Sequence, residues 1–372
     1  PGKDQWTTTE RVAIPLNVLV AAGVLYFLSP LLNVEAATEM VRIPDETGTI
    51  QEFEVAKSGF HKEVLGFFWR NESGDSDLDW LSYGLPLMLA HDLNRVSPVI
   101  TVDTPFDSFS VRNELRNKGY PTFLDEPQGL RVEIARDRRT AALIIGSFEK
   151  VAETVTVNAT LIDATSGNEI GSHSVSGRDW LTAVDDVSAA VLRYLDVTPS
   201  DNQSDDPVGQ HFSGSLEAIK HFTNGQVAVD INNDYPLGIA ELQSAVEIDP
   251  EFAEASGDLS MSHYLNNDLQ SARATASQAL KNSYRLSETS RFLLKANRYI
   301  FDGDFERGAR VVEIWTQVQP NSTDAFGALA QINRLQGTAE SLQTASFAYD
   351  RLLELDPQNL GILRQKAEVE QQ

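Results

Sequence analysis

The chain contains no cysteine. That removes disulfide frameworks, thiolate metal sites and cysteine nucleophiles together, and leaves the redox compartment open. Positive charge is scarce: 30 Lys and Arg face 54 Asp and Glu, a formal charge of −24 over 372 residues. Nucleic acid is excluded as a partner, because phosphate recognition needs clustered cations. The same excess opposes lying flat on an anionic leaflet. Catalytic signatures are missing as well: the chain has no GxxxxGK[ST] loop, no GxGxxG turn, no HExxH helix and no GxSxG elbow. The histidines at 61, 91, 173, 211, 221 and 263 lack ligand spacing, although His211 and His221 flank one helix start. Asp75, Asp77 and Asp79 alternate as in a calcium loop, but Trp80 stands where glycine is required and Pro86 where the closing glutamate belongs. The expectation is a protein with no catalytic residue, no cofactor and no metal. A hydrolase reading would need Asp79, His91 and Arg95 to converge in a deep pocket.

What is present begins with one long apolar run. Val12 to Val34 carries no charged residue, and Val18 to Leu28 is apolar throughout. About 20 residues at roughly 1.5 Å each cross a hydrocarbon core, and a helix pairs its own backbone inside lipid. Residues 12–34 therefore read as a transmembrane helix in contact with the bilayer; a buried core helix and a cleaved signal peptide are the alternatives. Lys3 and Arg11 precede the run, and Arg42 alone follows it closely among Glu35, Glu39, Asp45 and Glu46. The bias places the 1–11 segment in the cytoplasm and the body in the periplasm or outside. The chain opens on Pro1 without Met, which leaves room for an upstream effector domain.

Residues 35–61 read as a juxtamembrane arm with a short exposed strand over Thr49 to Val55. Strands follow at Val64 to Trp69 and Pro98 to Val102, with helices at Leu78 to Val96, Phe106 to Lys118 and Gln128 to Arg138. Ala141 to Glu149, Thr154 to Asp163 and Glu169 to Ser176 make a strand block, the last two joined through Ala164 to Asn168, and Trp180 to Leu195 closes as a helix. Alternation followed by a meander predicts a mixed α/β sheet with flanking helices. Thr198 to Gln210 is polar and acidic and reads as a linker between 62–197 and 211–372.

Phe67, Asn71, Ser73-Gly74-Asp75, Asp79-Trp80-Leu81-Ser82, Gly84-Leu85 and Leu93 resemble the opening of the bacterial TolB-like N-terminal domain. Ile145 to Phe148 and Thr160 to Gly167 resemble its later strand and hairpin. The resemblance covers about residues 62–197. It implies a non-enzymatic domain that commonly stands between a membrane span and tetratricopeptide repeats, often downstream of a kinase, cyclase or winged-helix regulator.

Beyond the linker the sequence repeats. Asn233-Asp234, Asn267-Asp268, Gly303-Asp304 and Gly337-Thr338 are polar turns spaced 34, 36 and 34 residues apart. Small residues such as Ala245, Ala272, Ala276 and Ala345 recur at fixed places, with Asp249-Pro250 and Asp356-Pro357 at helix ends. Ser260, Ala296 and Ala330 hold the small position of first helices, while the third repeat departs with Gly308 and Trp315. The pattern resembles tetratricopeptide (TPR) repeats, an all-α solenoid of four helix pairs over 211–372, closed by a capping helix at Gly361 to Gln371. Counting from the turns puts Met261, Tyr264, Ser290, Asn297, Gln331 and Arg334 in the groove where a protein partner would dock. The whole reads as an acidic, membrane-anchored scaffold for protein–protein interaction, an accessory subunit of a larger membrane complex. The alternative is the extracytoplasmic sensory part of a signalling protein.

Overall fold

A computed structural model of the chain describes residues 37–57, 59–200, 206–355 and 360–371. The expected span at 12–34 and the segment before it lie outside the described residues. Among the described residues no helix is long and apolar enough to cross a membrane.

The chain enters as a hairpin, β1 (Thr38–Pro44) and β2 (Ile50–Ala56), paired from Thr38↔Ala56 to Pro44↔Ile50. Asp45 shapes its turn by accepting from the Thr47 and Thr49 amides at 2.9 and 3.0 Å. Hydrogen bonds, led by that of the Thr47 hydroxyl, hold its carboxyl below the usual range.

A mixed sheet follows: β3 (Lys62–Gly66), β4 (Arg70–Asn71), β5 (Ile100–Asp103), β6 (Ala142–Val151), β7 (Thr154–Asp163) and β8 (Glu169–Gly177). The order is β5-β3-β6-β7-β8, with the short β4 also on β6. β5, β3 and β6 are parallel, while β6, β7 and β8 form an antiparallel meander. Helices α1 (Leu81–Val96), α2 (Phe109–Asn117), α3 (Gln128–Asp137) and α4 (Trp180–Tyr194) flank the sheet. The mixed sheet with flanking helices is the architecture the alternation predicted. One boundary moves: β3 stops at Gly66, and Phe67, Phe68 and Trp69 run on as irregular, fully buried chain beside β6 until β4 resumes the pairing. Trp69 lies over β6 at Gly146, where an added Cβ would stand 2.6 Å from its ring, so a side chain there would eject the indole.

The helical region holds α5 (Val208–His211) and four antiparallel pairs. These are α6 (Leu216–Gln226) with α7 (Tyr235–Ile248), α8 (Ala253–Leu265) with α9 (Leu269–Lys281), α10 (Glu288–Asp302) with α11 (Phe305–Val318), and α12 (Thr323–Gln336) with α13 (Ala339–Leu355). α14 (Leu360–Glu370) packs on the last pair. The four intra-pair turns share one solution. Asn233, Asn267, Gly303 and Gly337 each take positive φ, between 53° and 75°. The next residue then caps the second helix: Asp234, Asp268 and Asp304 accept amides three residues on, and the Thr338 hydroxyl accepts from Ser341.

Two findings depart from a chain of separate units. The core under the sheet continues through Val208, Phe212, Phe222, Phe252 and Leu259 into the first two helix pairs. The stretch read as an acidic linker is tied down on either side of 201–205, which lie outside the described residues. The Ser200 amide donates to the Val96 carbonyl at 2.9 Å, and the Val208 amide to Asp185 at 2.8 Å. Second, the strand expected over Thr49 to Val55 forms as β2 and is exposed over its first half, but its second half packs down. Ile43 and Val55 join a core with Phe292, Val311 and Trp315, and Phe53 stacks on Phe292 at 5.7 Å between centroids. An alternating heptapeptide shows that one face wants burial, but not which distant surface buries it.

Candidate functional site

The sheet domain and the helical array are joined by polar ties as well as by the shared core. Arg95 on α1 donates to the Tyr284 and Leu286 carbonyls at 2.9 and 3.3 Å. Arg112 on α2 pairs with Asp230 at 3.1 Å, and Arg116 donates to the Asp230 carbonyl. His91 Nδ1 sits 3.0 Å from the Glu254 carboxylate, and His211 Nε2 lies 3.0 Å from Asp92. The two imidazoles stack, with centroids 5.2 Å apart, and Phe212 covers His91 from 4.7 Å.

Two of these ties, His91–Glu254 and Arg112–Asp230, line a cavity of about 550 Å³. One wall is the second half of α1 and the segment leading into α2; the other draws on α6, α8, α10 and α12, the first helix of every pair. Beyond α6, a π-helical turn over Val227–Ile231 brings Val229 and Asp230 to the cavity. Such turns widen a helix locally and recur at functional sites.

The lining is strongly acidic: Asp107, Asp230, Glu254, Asp258 and Asp324 face it, against the one guanidinium of Arg112 and the imidazole of His91. Burial raises three of these carboxyls. Asp258 is held well above the usual range, first by burial and then by the charges of Glu254, Asp230 and Asp107. Asp230 is pushed up to about 6 by burial, against the opposing pull of Arg112. Asp324 is pushed up to about 7 by burial and by Asp107 and Glu63. Asp107 is exposed, and its carboxylate accepts from the Thr104 amide and hydroxyl at 2.7 and 2.8 Å. Just outside the cavity, Asp103 at the end of β5 is raised by burial and by Asp324.

Of the six residues expected in a groove, Met261, Ser290 and Gln331 line this cavity. The others do not. Tyr264 stacks on Phe301 at 4.9 Å, Asn297 is buried, and Arg334 reaches the Tyr349 hydroxyl at 3.2 Å and Glu368 at 3.8 Å. Helix-phase counting finds the inward face but not which positions the next helix covers. The cavity acids went unread because they come from four stretches of chain. Asp324 has the look of a first-turn acid, and Asp230 lies in a turn whose widened phase leaves no periodic mark.

The remaining sequence candidates fall apart in space. Asp79 accepts from Asn71 at 2.7 Å near the start of α1, and the cavity that His91 lines includes neither Asp79 nor Arg95. His221 is engaged by Glu241 at 2.6 Å, separately from the His211–Asp92 contact. On the surface, Glu114, Glu133 and Asp137 bring carboxylate oxygens within 4.8 Å of one another, and Lys118 at 3.3 Å from Glu133 answers part of that charge.

No protein-family model and no curated protein matches the chain. Solved structures that resemble part of it include the following three. A lipoprotein, GNA1162, from Neisseria meningitidis is 17% identical, with 36% of this chain and 96% of that one covered and a TM-score of 0.26. The LpoB C-terminal domain from Salmonella enterica is 14% identical, with 33% and 87% covered and a TM-score of 0.24. TolB from Acinetobacter baumannii is 15% identical, with 44% of this chain and 32% of that one covered and a TM-score of 0.25. The match thus spans about a third of the TolB structure. At such scores these likenesses carry no argument, and the α/β architecture rests on the strand order given above.

Proposed function

We propose that this chain is a non-enzymatic scaffold of the bacterial cell envelope, anchored through residues 12–34, whose TolB-like domain and TPR-type array hold a protein partner. The observation that carries the reading is the array itself. Four stacked helix pairs turn the first helix of each toward one polar cavity, and α14 covers the last apolar face through Val369.

The test is gentle detergent extraction of native membranes, followed by sizing and mass spectrometry of what travels with the chain. Co-migration with a defined complex at fixed ratio is expected. Migration alone, near its own mass plus detergent, would overturn the subunit reading. A second reading, the sensory part of a signalling protein, is favoured by one observation: the cavity lies between two units, where an occupant would set their relation. A long reading frame upstream of Pro1 encoding a kinase, cyclase or DNA-binding domain would establish it.

A further inference from the structure

The carboxylates around the cavity are not matched by the cations beside them. Arg112 answers Asp230 at 3.1 Å, while Glu254 meets the Nδ1 of His91 at 3.0 Å, a hydrogen-bond donor and not a full counter-charge in the neutral ring. Asp258 receives a hydrogen bond from Gln226, a neutral donor, and Asp107 from Thr104. Asp258 has no ion pair among the described residues, although Glu254, Asp230 and Asp107 press on it. Enclosed charges without a counter-charge are costly; that cost falls on the half-buried Asp258 and Asp324, and the exposed Asp107 adds its charge beside them. The acids also come from separate elements: the segment after β5, the π-turn, α8 and α12. They are therefore not the wet face of one helix.

His91 supplies an independent observation. It is 7% exposed and lines the cavity, and its Nε2 has no hydrogen-bond partner among the described residues. A carboxylate only accepts, so Nδ1, at 3.0 Å from Glu254, carries the proton. In the neutral ring Nε2 is then a bare acceptor, and an N–H donor is what satisfies it. Apolar groups complete the lining, among them Leu87, Phe106, Met261 and Leu293. The volume of about 550 Å³ falls in the range of roughly 300–1,000 Å³ usual for ligand sites.

We propose that this cavity binds an organic cation, an ammonium or guanidinium group on an apolar stem, through Asp258, Asp107 and Asp324 with His91 as acceptor. The stem would lie along Met261 and Leu293, which line the cavity. The same chemistry has two sources: a free amine, or a Lys or Arg side chain on a partner's segment. Only the second source rests on the scaffold reading above.

The test titrates the full chain by calorimetry with two probes at mildly alkaline pH. One is spermidine; the other is an oligolysine peptide, with its fully acetylated form as control. The variants are Asp258→Asn, which keeps the bond to Gln226, and Asp107→Asn as a second, should the first fail to fold. Glu306→Gln, on the exposed face of α11, lowers the net charge equally away from the cavity. Saturable binding that weakens about tenfold or more in the cavity variants and is unchanged in Glu306→Gln is the expected result. Spermidine binding assigns a free amine; binding of the peptide but not of spermidine or the acetylated form assigns a partner's side chain. Binding of neither probe, or equal weakening by Glu306→Gln, would overturn the proposal as general attraction to an acidic chain. Co-purification of a partner without probe binding would leave the scaffold reading standing and sink this one.

Discussion

The two ends of the helical array are buried by different means. The first two pairs share their core with the sheet domain, where Phe212, Phe222 and Phe252 meet ring to ring at 4.8 to 5.5 Å. The last two pairs are clasped instead by the β1–β2 hairpin and by α14, around Trp315 and Tyr349. At one end the partner is a whole domain core; at the other it is a two-stranded ribbon, which is marginal alone and needs the helices as much as they use it. The turns are nearly identical at both ends. Repetition in sequence therefore sets the helix pairs, while the elements before them set which surfaces are covered.

The sharpest way to break the comparison is to empty each core. Phe252→Ala and Trp315→Ala should each cost about 3–5 kcal/mol in denaturant unfolding, since both side chains are fully buried. Hydrogen exchange should tell them apart. Phe252→Ala raises exchange in the sheet and first pairs together, whereas Trp315→Ala raises it in the hairpin and last pairs and leaves β6 and β7 protected. Equal effects everywhere would mean one indivisible core.

The hairpin clasp can be tested alone. Lys295 pairs with Glu46 at 2.8 Å, and Tyr299 donates to the same carboxylate at 3.0 Å; the Glu46 side chain is 3% exposed. Lys295→Met should cost about 1–3 kcal/mol, because it strands a buried carboxylate, and it should speed proteolytic cutting in residues 44–57. Cutting at the wild-type rate would place the clasp in the apolar contacts alone.

Asp324→Asn is expected to stabilise, in a pH-dependent way. In the folded chain Asp324 is raised from 3.8 to about 7, so folded protein binds its proton more tightly than unfolded protein. Stability from this group is fully present at pH below about 4 and is lost as pH rises to about 7. The amide removes that loss, giving about 1–3 kcal/mol above pH 7, less the favourable charge at a helix start, and little at pH 4. His211, lowered by burial, works oppositely below its ordinary 6.5. Variant and parent must therefore be compared at each pH. A gain independent of pH would contradict the raised carboxyl.

The smallest effect belongs to the turns. Asn267 holds φ at 61°, where a β-branched residue is penalised, so Asn267→Val should cost about 1–2 kcal/mol in thermal unfolding while Asn267→Gly stays within about 0.5. A matching loss in Asn233→Val would show that the shared turn contributes equally at the domain-covered end and further along the array.

Much of this was legible beforehand. Alternation located β7 and β8, and the 3.6-residue period located α1 and α4, because each signal is written in neighbouring residues. Asn267-Asp268 and Gly303-Asp304 were readable as turns for the same reason: a left-handed residue followed by a cap is a local code. Docking is not local. Nothing in Ile43 or Val55 names Phe292 as a neighbour, and nothing in Asp258 names Asp107. Arg334 and Tyr264 have the phase of groove residues but are spent on Tyr349 and Phe301.

The hairpin also decides where a mechanical load would go. Its first pair, Thr38↔Ala56, is the one nearest the N-terminus, and the turn at Asp45 to Gly48 is the far end. A pull applied through the N-terminus, away from the body, opens that ladder one pair at a time from Thr38 inward instead of shearing all the pairs together. Such peeling would lift Ile43 of β1 out of the core around Phe292 and Trp315 while β2 still holds Phe53 on Phe292.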